Sequence, residues 1–259
     1  MSIGISYTTR NRPEALEYVL TKMRQFLPPE AKVVIVDDNS DDIFRNKNAD
    51  LSHGFEYVFN EKRLGVPHSK NVGFQRLKDC DYQFWFDDDC YPMCEGWHLP
   101  FIDAMEGDQK HLLYMHKWMK FECVARIGNL ERFSGCTGCL LTFHKDTYVD
   151  VEGFHEGFTL YGMWHFALTT KMYDKGHSAL WVATVADAGS YIHAFDINGC
   201  PADYKAKRRG SSFTKKDRTD NWKNRTEAHE AFKRFVGEGY ASCVQRFRLD
   251  TQKIKEGSI

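Results

Sequence analysis

The run Lys32-Val-Val-Ile-Val-Asp37 is apolar on both faces of an extended chain, the pattern of a strand in a parallel sheet covered by helices on either side. Such a strand commits the chain to an α/β layering, because parallel strands are joined by long crossovers that are usually helical. The flanking sequence supplies them. Ile3-Gly-Ile-Ser-Tyr7 reads as a preceding strand, and after a polar turn Leu16, Val19, Leu20, Met23 and Leu27 recur at helical spacing. Pro13 suits the first position of that helix. Further strands are expected at Phe55 to Phe59 and Tyr82 to Phe86, with a helix from about His68 to Leu77 between them. A chain of 259 residues, 42% hydrophobic and 27% charged, can bury such a core and excludes general disorder.

Every one of these strands runs into polar residues where it ends, and open α/β sheets bind ligands at that carboxyl edge. The first delivers Thr8-Thr-Arg10-Asn-Arg-Pro13, the second Asp37-Asp38-Asn-Ser40, and the fourth three consecutive carboxylates, Asp87, Asp88 and Asp89. Adjacent acids repel one another unless something positive sits among them. A divalent cation such as magnesium or manganese, held by one or two carboxylates and completed by water and substrate phosphates, is the group that fits. An Asp-rich turn is the plainer alternative, as a helix cap is for Asn11.

Charge excludes a global attraction to nucleic acid or membrane: 35 basic and 36 acidic residues leave a net charge of −1. Any such partner must use a local patch. Lys205, Lys207, Arg208, Arg209, Lys215, Lys216 and Arg218, against the single acid Asp217, form one, in a stretch whose glycine and serines suggest a loop. No leader or spanning segment is read from the sequence, so a cytoplasmic protein is expected, or one in a host cytoplasm if phage-encoded. The eight cysteines are then expected to be thiols, with Cys136-Thr-Gly-Cys139 and the pair Cys90 and Cys94 the places where zinc spacing occurs.

Tyr7-Thr-Thr-Arg-Asn-Arg-Pro13, Val36-Asp-Asp-Asn-Ser40, Gly65-Val-Pro-His-Ser-Lys-Asn-Val-Gly73 and Phe86-Asp-Asp-Asp89, taken in that order and spacing, resemble glycosyltransferase family 2 of the GT-A superfamily. The resemblance implies a Rossmann-like, mostly parallel central sheet flanked by helices in a single domain. Residues 1–100 would form the nucleotide-sugar half, 101–199 the acceptor half, and 200–259 a basic loop and helical extension. It implies a UDP-sugar donor, with Thr8 and Asp38 at the uracil, Arg10 and Lys70 in the donor site near base or phosphate, and Asp87 and Asp88 at ribose and diphosphate. Asp87 and Asp89 would hold the divalent cation, and a late histidine, His193, would complete its shell.

The resemblance continues through Ser134-Gly-Cys-Thr-Gly138, Val151-Glu-Gly-Phe-His-Glu-Gly-Phe158 and Tyr161-Gly-Met-Trp-His165, similar to the family's acceptor-side motifs. Glu156 matches an acid of that pattern, and Lys171 stands where arginine is usual. Trp164 replaces the usual glutamate, so His165 becomes the nearest titratable substitute for a general base, and Trp164 could form a flat wall for a ring. The expected reaction is metal-dependent transfer of the sugar to a hydroxyl acceptor by direct displacement with inversion. That acceptor is either a saccharide or small hydroxyl compound, or a hydroxymethylated base in phage DNA gripped by the Lys205 to Arg218 segment, with DNA favoured. The missing acid at Trp164 leaves a second expectation, a nucleotide-sugar-binding module with impaired catalysis.

Overall fold

A computed structural model describes residues 1–115, 121–158, 163–195, 201, 204 and 225–258, without the side chains of 225, 226 and 228. Its centre is a six-stranded sheet. Strands β1 (Ile3–Thr9), β2 (Lys32–Asp37), β3 (Glu56–Phe59) and β4 (Tyr82–Asp87) run parallel, and β9 (Leu140–His144) lies antiparallel to both β4 and β6 (His111–Leu113). The order across the sheet is β3-β2-β1-β4-β9-β6. Helices α1 (Pro13–Gln25), α2 (Asp42–Leu51) and α3 (Val66–Leu77) make the crossovers. The four strands and two helices expected from apolar patterning are present. Leu27 falls beyond the end of α1, while α2, which buries only Asn48, carries too little apolar periodicity to be read from sequence.

Connectivity, more than content, sets where a ligand can sit. From β1 the chain steps outward to β2 and β3, then crosses back to place β4 on the other side of β1. The strand order therefore reverses between β1 and β4, and a crevice opens at the carboxyl ends there, the switch point where open α/β sheets take ligands. Register puts Thr8 beside Asp87 and Thr9 beside Asp37.

Close approach keeps this edge tight. A Cβ on Gly73 of α3 would lie 2.3 Å from the Ser6 hydroxyl on β1, so glycine is what lets the helix lie directly on the strand. Tyr7, Phe84 and Phe86 pack into one core with α1, and Trp85 into a second with α3 and the later helices. That second core includes α6 (Trp164–Asp174), α7 (Arg225–Val236) and α8 (Tyr240–Lys255). From α7, Ala231, Phe232 and Phe235 are buried in it. Strands β7 (Cys123–Ile127), β8 (Leu130–Phe133) and β10 (Ala183–Val185) form a separate antiparallel sheet.

His111 on β6 is a core histidine. Its ring nitrogens reach the Thr142 carbonyl at 3.0 Å and the Thr169 hydroxyl at 2.9 Å, and burial lowers its pKa from 6.5 to about 4. Between those two values the unfolded chain takes up a proton here and the folded chain does not. Stability is therefore expected to hold above pH 6.5 and to fall as pH drops toward 4, with His111 contributing on the order of 3 kcal/mol to the loss. Urea midpoints measured across that range check this, and a His111→Gln variant should show a shallower slope.

Candidate functional site

Each acid of the Asp87–Asp89 triplet has its own environment. Asp87 ends β4 with its carboxylate 35% exposed, and one oxygen accepts a hydrogen bond from the Lys70 ammonium at 3.0 Å. Lys70 itself is fully buried, with its ammonium 5.5 Å from the centre of the Trp164 ring. Asp88 turns inward. It accepts hydrogen bonds from the Thr9 hydroxyl at 2.8 Å and from Arg12 at 2.7 Å. Burial raises its pKa above the ordinary carboxylate value, against the lowering pull of Arg12 and Thr9. Asp89 lies 3.7 Å from the other Arg12 nitrogen, and its side chain is only 5% exposed.

Around the triplet the turns are stitched together by side chains. Asn11, at φ 55°, donates to Asp41 at 3.0 Å and accepts from the Asp41 amide at 2.8 Å, so it joins the β1–α1 turn to the β2–α2 turn instead of capping α1. Asp37 is consumed by the Ser40 amide, the Asn48 amide group and the Tyr57 hydroxyl. Asp38 accepts from the backbone amides of Leu64 at 2.9 Å and Gly65 at 3.0 Å. Gly65 precedes the first turn of α3, so this carboxylate sits at a helix N-terminus, where the dipole favours it. The Thr8 hydroxyl is buried without a hydrogen-bond partner, and an unmade bond at such a place costs stability unless a ligand supplies it. Arg10 belongs to the same turn, where its backbone N–H lies against Asp88.

The acceptor-side segment is held on the donor-side helix. Glu156 accepts from Asn71 at 2.9 Å and pairs with His68 at 2.9 Å, both on α3. Burial pushes the Glu156 pKa up, but the hydrogen bonds from Asn71 and His68 outweigh it and leave the carboxyl below its ordinary value. His165, in the first turn of α6, has its pKa lowered from 6.5 to about 4, chiefly by desolvation and also by the Lys70 charge. It is neutral at physiological pH but a weak base, since efficient proton acceptors have a pKa near the working pH. Trp164 is 6% exposed, packed on Gly138 and covered by Lys70. Its ring is a wall for the lysine, which corrects the expectation of an open stacking surface.

The structure thus brings Thr8, Asp38, Lys70 and Asp87 to Asp89 to one edge, with Glu156 and His165 on neighbouring elements. His193 lies on β11 (Ile192–Ala194), opposite Tyr91 of β5 (Cys90–Pro92), with its ring 5.2 Å from the Tyr91 ring. Among the described residues no three His, Cys, Asp or Glu side chains are gathered in metal-binding geometry, so His193 is not joined to Asp87 and Asp89 in a preformed shell. The seven described cysteines are free thiols and form no zinc cluster. Residues 161–162 and the basic residues from Lys205 to Arg218 lie outside the described residues. Among the described residues no helix is long and apolar enough to cross a membrane. Sequence reading missed Arg12, Thr9, His68 and Asn71 as site residues. All four stood inside quoted motifs, but which distant group each would meet is not a local property.

Comparison with known proteins fits this arrangement. The family described as glycosyl transferase family 2 matches residues 5–171. Among solved structures, GalNAc-T7 with UDP, GalNAc and Mn2+ aligns with a TM-score of 0.62 at 14% identity, over 99% of this chain and 56% of that one. The mannosyltransferase PcManGT from Pyrobaculum calidifontis, in complex with GDP-Man and Mn2+, gives 0.58 at 15% identity, over 72% of this chain and 55% of that one. S. aureus TarS in complex with UDP-GlcNAc gives 0.57 at 16%, over 82% of this chain and 60% of that one. This chain therefore spans less than two thirds of each, and at these identities the likeness is one of fold. No curated protein sequence matches it. With a family match over more than half of its length and a mixed, mostly parallel sheet whose polar edge lies at the β1–β4 switch point, the chain belongs to glycosyl transferase family 2 and has the GT-A fold.

Proposed function

We propose that the protein transfers a sugar from a UDP-sugar to a hydroxyl acceptor by a single displacement with inversion. The observation that carries the reading is the switch-point edge itself. An unsatisfied buried hydroxyl (Thr8), a carboxylate fixed at a helix start (Asp38) and a buried lysine holding a half-open carboxylate (Lys70 and Asp87) stand there together. Thr8 and Asp38 face the base, and Arg10 and Lys70 serve the donor's diphosphate side. Asp88, spent on Thr9 and Arg12, holds the turn in shape in place of the ribose contact expected from its motif.

A divalent cation fits the residues present. The donor set at the β4 turn is all oxygen, and Asp87 is open to solvent on one side. Magnesium and manganese are characteristically held by one or two carboxylates and completed by substrate phosphates, so a shell without three protein ligands is the expected one. Asp87 and Asp89 would hold the ion, with His193 one residue pair along the β5–β11 ladder. When bound, the ion supplies Lewis-acid neutralisation of charge on the departing diphosphate. That GalNAc-T7 and PcManGT were solved with Mn2+ and nucleotide or nucleotide sugar supports the assignment. The proton leaving the acceptor hydroxyl passes to the group of side chains around Glu156 and His165.

Calorimetry with UDP, with and without manganese, followed by turnover of UDP-glucose, UDP-galactose, UDP-GlcNAc and GDP-mannose, tests the reading. UDP should bind, and more tightly with manganese. Failure of UDP to bind, or turnover of GDP-mannose alone, would overturn the uridine assignment. The acceptor is assigned here only as a hydroxyl compound. If it is DNA, duplex binding will weaken steeply with salt, and absence of binding at low salt removes DNA from consideration.

A further inference from the structure

Building on the transfer reaction proposed above, we propose that His68 is the group that takes the acceptor proton, oriented by Glu156. Three observations lead there. First, His68 occupies the first turn of α3, which follows a parallel strand and so starts at the carboxyl edge of the sheet, the edge that carries Asp87. Two residues on, Lys70 reaches Asp87 itself at 3.0 Å.

Second, the tautomer is set by its partner. The His68 Nδ1 lies 2.9 Å from a Glu156 oxygen. An ionised carboxylate only accepts, so the shared proton belongs to Nδ1, and in the neutral imidazole Nε2 is left as the acceptor. The side chain is 26% exposed, so the ring is not sealed in the core.

Third, the orienting acid is itself fixed. The other Glu156 oxygen accepts from Asn71 Nδ2 at 2.9 Å, and that amide is locked by donating to the Phe154 carbonyl at 2.9 Å and accepting the Phe154 N–H at 3.0 Å. The Tyr148 hydroxyl donates to the same Asn71 oxygen. An acid that fixes an imidazole, held in turn by a third group, is the arrangement by which proteins orient a histidine for proton transfer. His165, whose pKa is lowered to about 4 by burial and by the Lys70 charge, is a weak base.

In the step, the acceptor oxygen forms a bond to the sugar's anomeric carbon as that carbon's bond to the diphosphate oxygen breaks. The diphosphate departs with the bonding electron pair, and the acceptor's proton moves to His68 Nε2. Glu156 stabilises the imidazolium that results. Glu156 is thus a positioning residue.

Turnover of the four donors named above, with water or added hydroxyl compounds as acceptor, tests this in the full chain alongside UDP binding. His68→Gln should lower kcat by about 100-fold, the low end for a positioned base, while UDP affinity stays within about twofold. Free imidazole should restore turnover to His68→Gly, which a purely structural role would not allow. Retention of kcat in His68→Gln, loss of UDP affinity in step with it, or no rescue would overturn the assignment. A wild-type chain that binds UDP but turns over no donor also overturns it and leaves the donor site standing. Failure to bind UDP at all overturns the donor reading instead, and the base assignment with it.

Discussion

Asp87→Asn is expected to lower sugar transfer about 1000-fold and to weaken manganese-dependent UDP binding. The carboxylate is the half-open acid of the triplet and the one that the buried Lys70 holds at 3.0 Å. Losing a cation's stabilisation of the departing diphosphate is worth several kcal/mol, and about 4 kcal/mol corresponds to that factor. The substitution also leaves Lys70 buried without a counter-charge. Because Asp87 is 35% exposed, the stability cost is discounted to about 2 kcal/mol. Pairing the change with Lys70→Met separates the two effects. Stability should partly return in the double variant, since the uncompensated charge is gone, while turnover should not. A single variant that keeps more than a tenth of wild-type turnover would remove Asp87 from the cation site.

Arg12→Ala carries the second large effect, and it should appear first in stability. Arg12 is the cation against Asp88, with 17% and 7% of the two side chains exposed. Breaking a buried pair on one side leaves an uncompensated charge, at a cost of about 3 kcal/mol, or a melting temperature lower by roughly 6 to 12 °C in a chain of this size. The loss should depend on pH in a defined direction. The folded pKa of Asp88 is already raised by burial, with Arg12 the leading force against the rise. A carboxyl whose folded pKa exceeds its unfolded one favours folding most below the unfolded value of 3.8, and that contribution disappears as pH rises through the folded value. Without Arg12 the folded pKa climbs further, so the gap between variant and wild type should widen from acid toward neutral pH. Thermal melts of both proteins across that range check it. A gap that is constant with pH would show that the guanidinium stabilises by packing alone. Arg12→Lys should recover part of the stability, though not the two-nitrogen reach to Asp88 and Asp89.

Much of the fold was legible because it depends on patterns that act over a few residues. Lys32–Asp37 is apolar on both faces, and it lies inside the sheet between β1 and β3. Pro13 begins α1, and Leu16, Val19, Leu20 and Met23 are all buried. The polar ends of the strands were equally visible, and they do meet at one edge. Where local pattern was weak the reading failed. α2 has a single buried residue, so no apolar stripe announces it, and Leu27 continued a periodicity that the chain abandons after Gln25.

The site divided along the same line. Sequence alone determined that acids, hydroxyls and basic residues would crowd the carboxyl ends of parallel strands, because strand pattern and strand ending are local, and four motifs in order tied that edge to one family. Tertiary structure alone decided how three chemically identical acids differ. Asp87 faces Lys70 across 17 residues of sequence, Asp88 is claimed by one Arg12 nitrogen across 76, and Asp89 lies 3.7 Å from the other nitrogen of that guanidinium. A carboxylate's role follows from its burial and from the nearest charge or donor, and those neighbours are set by how distant segments pack.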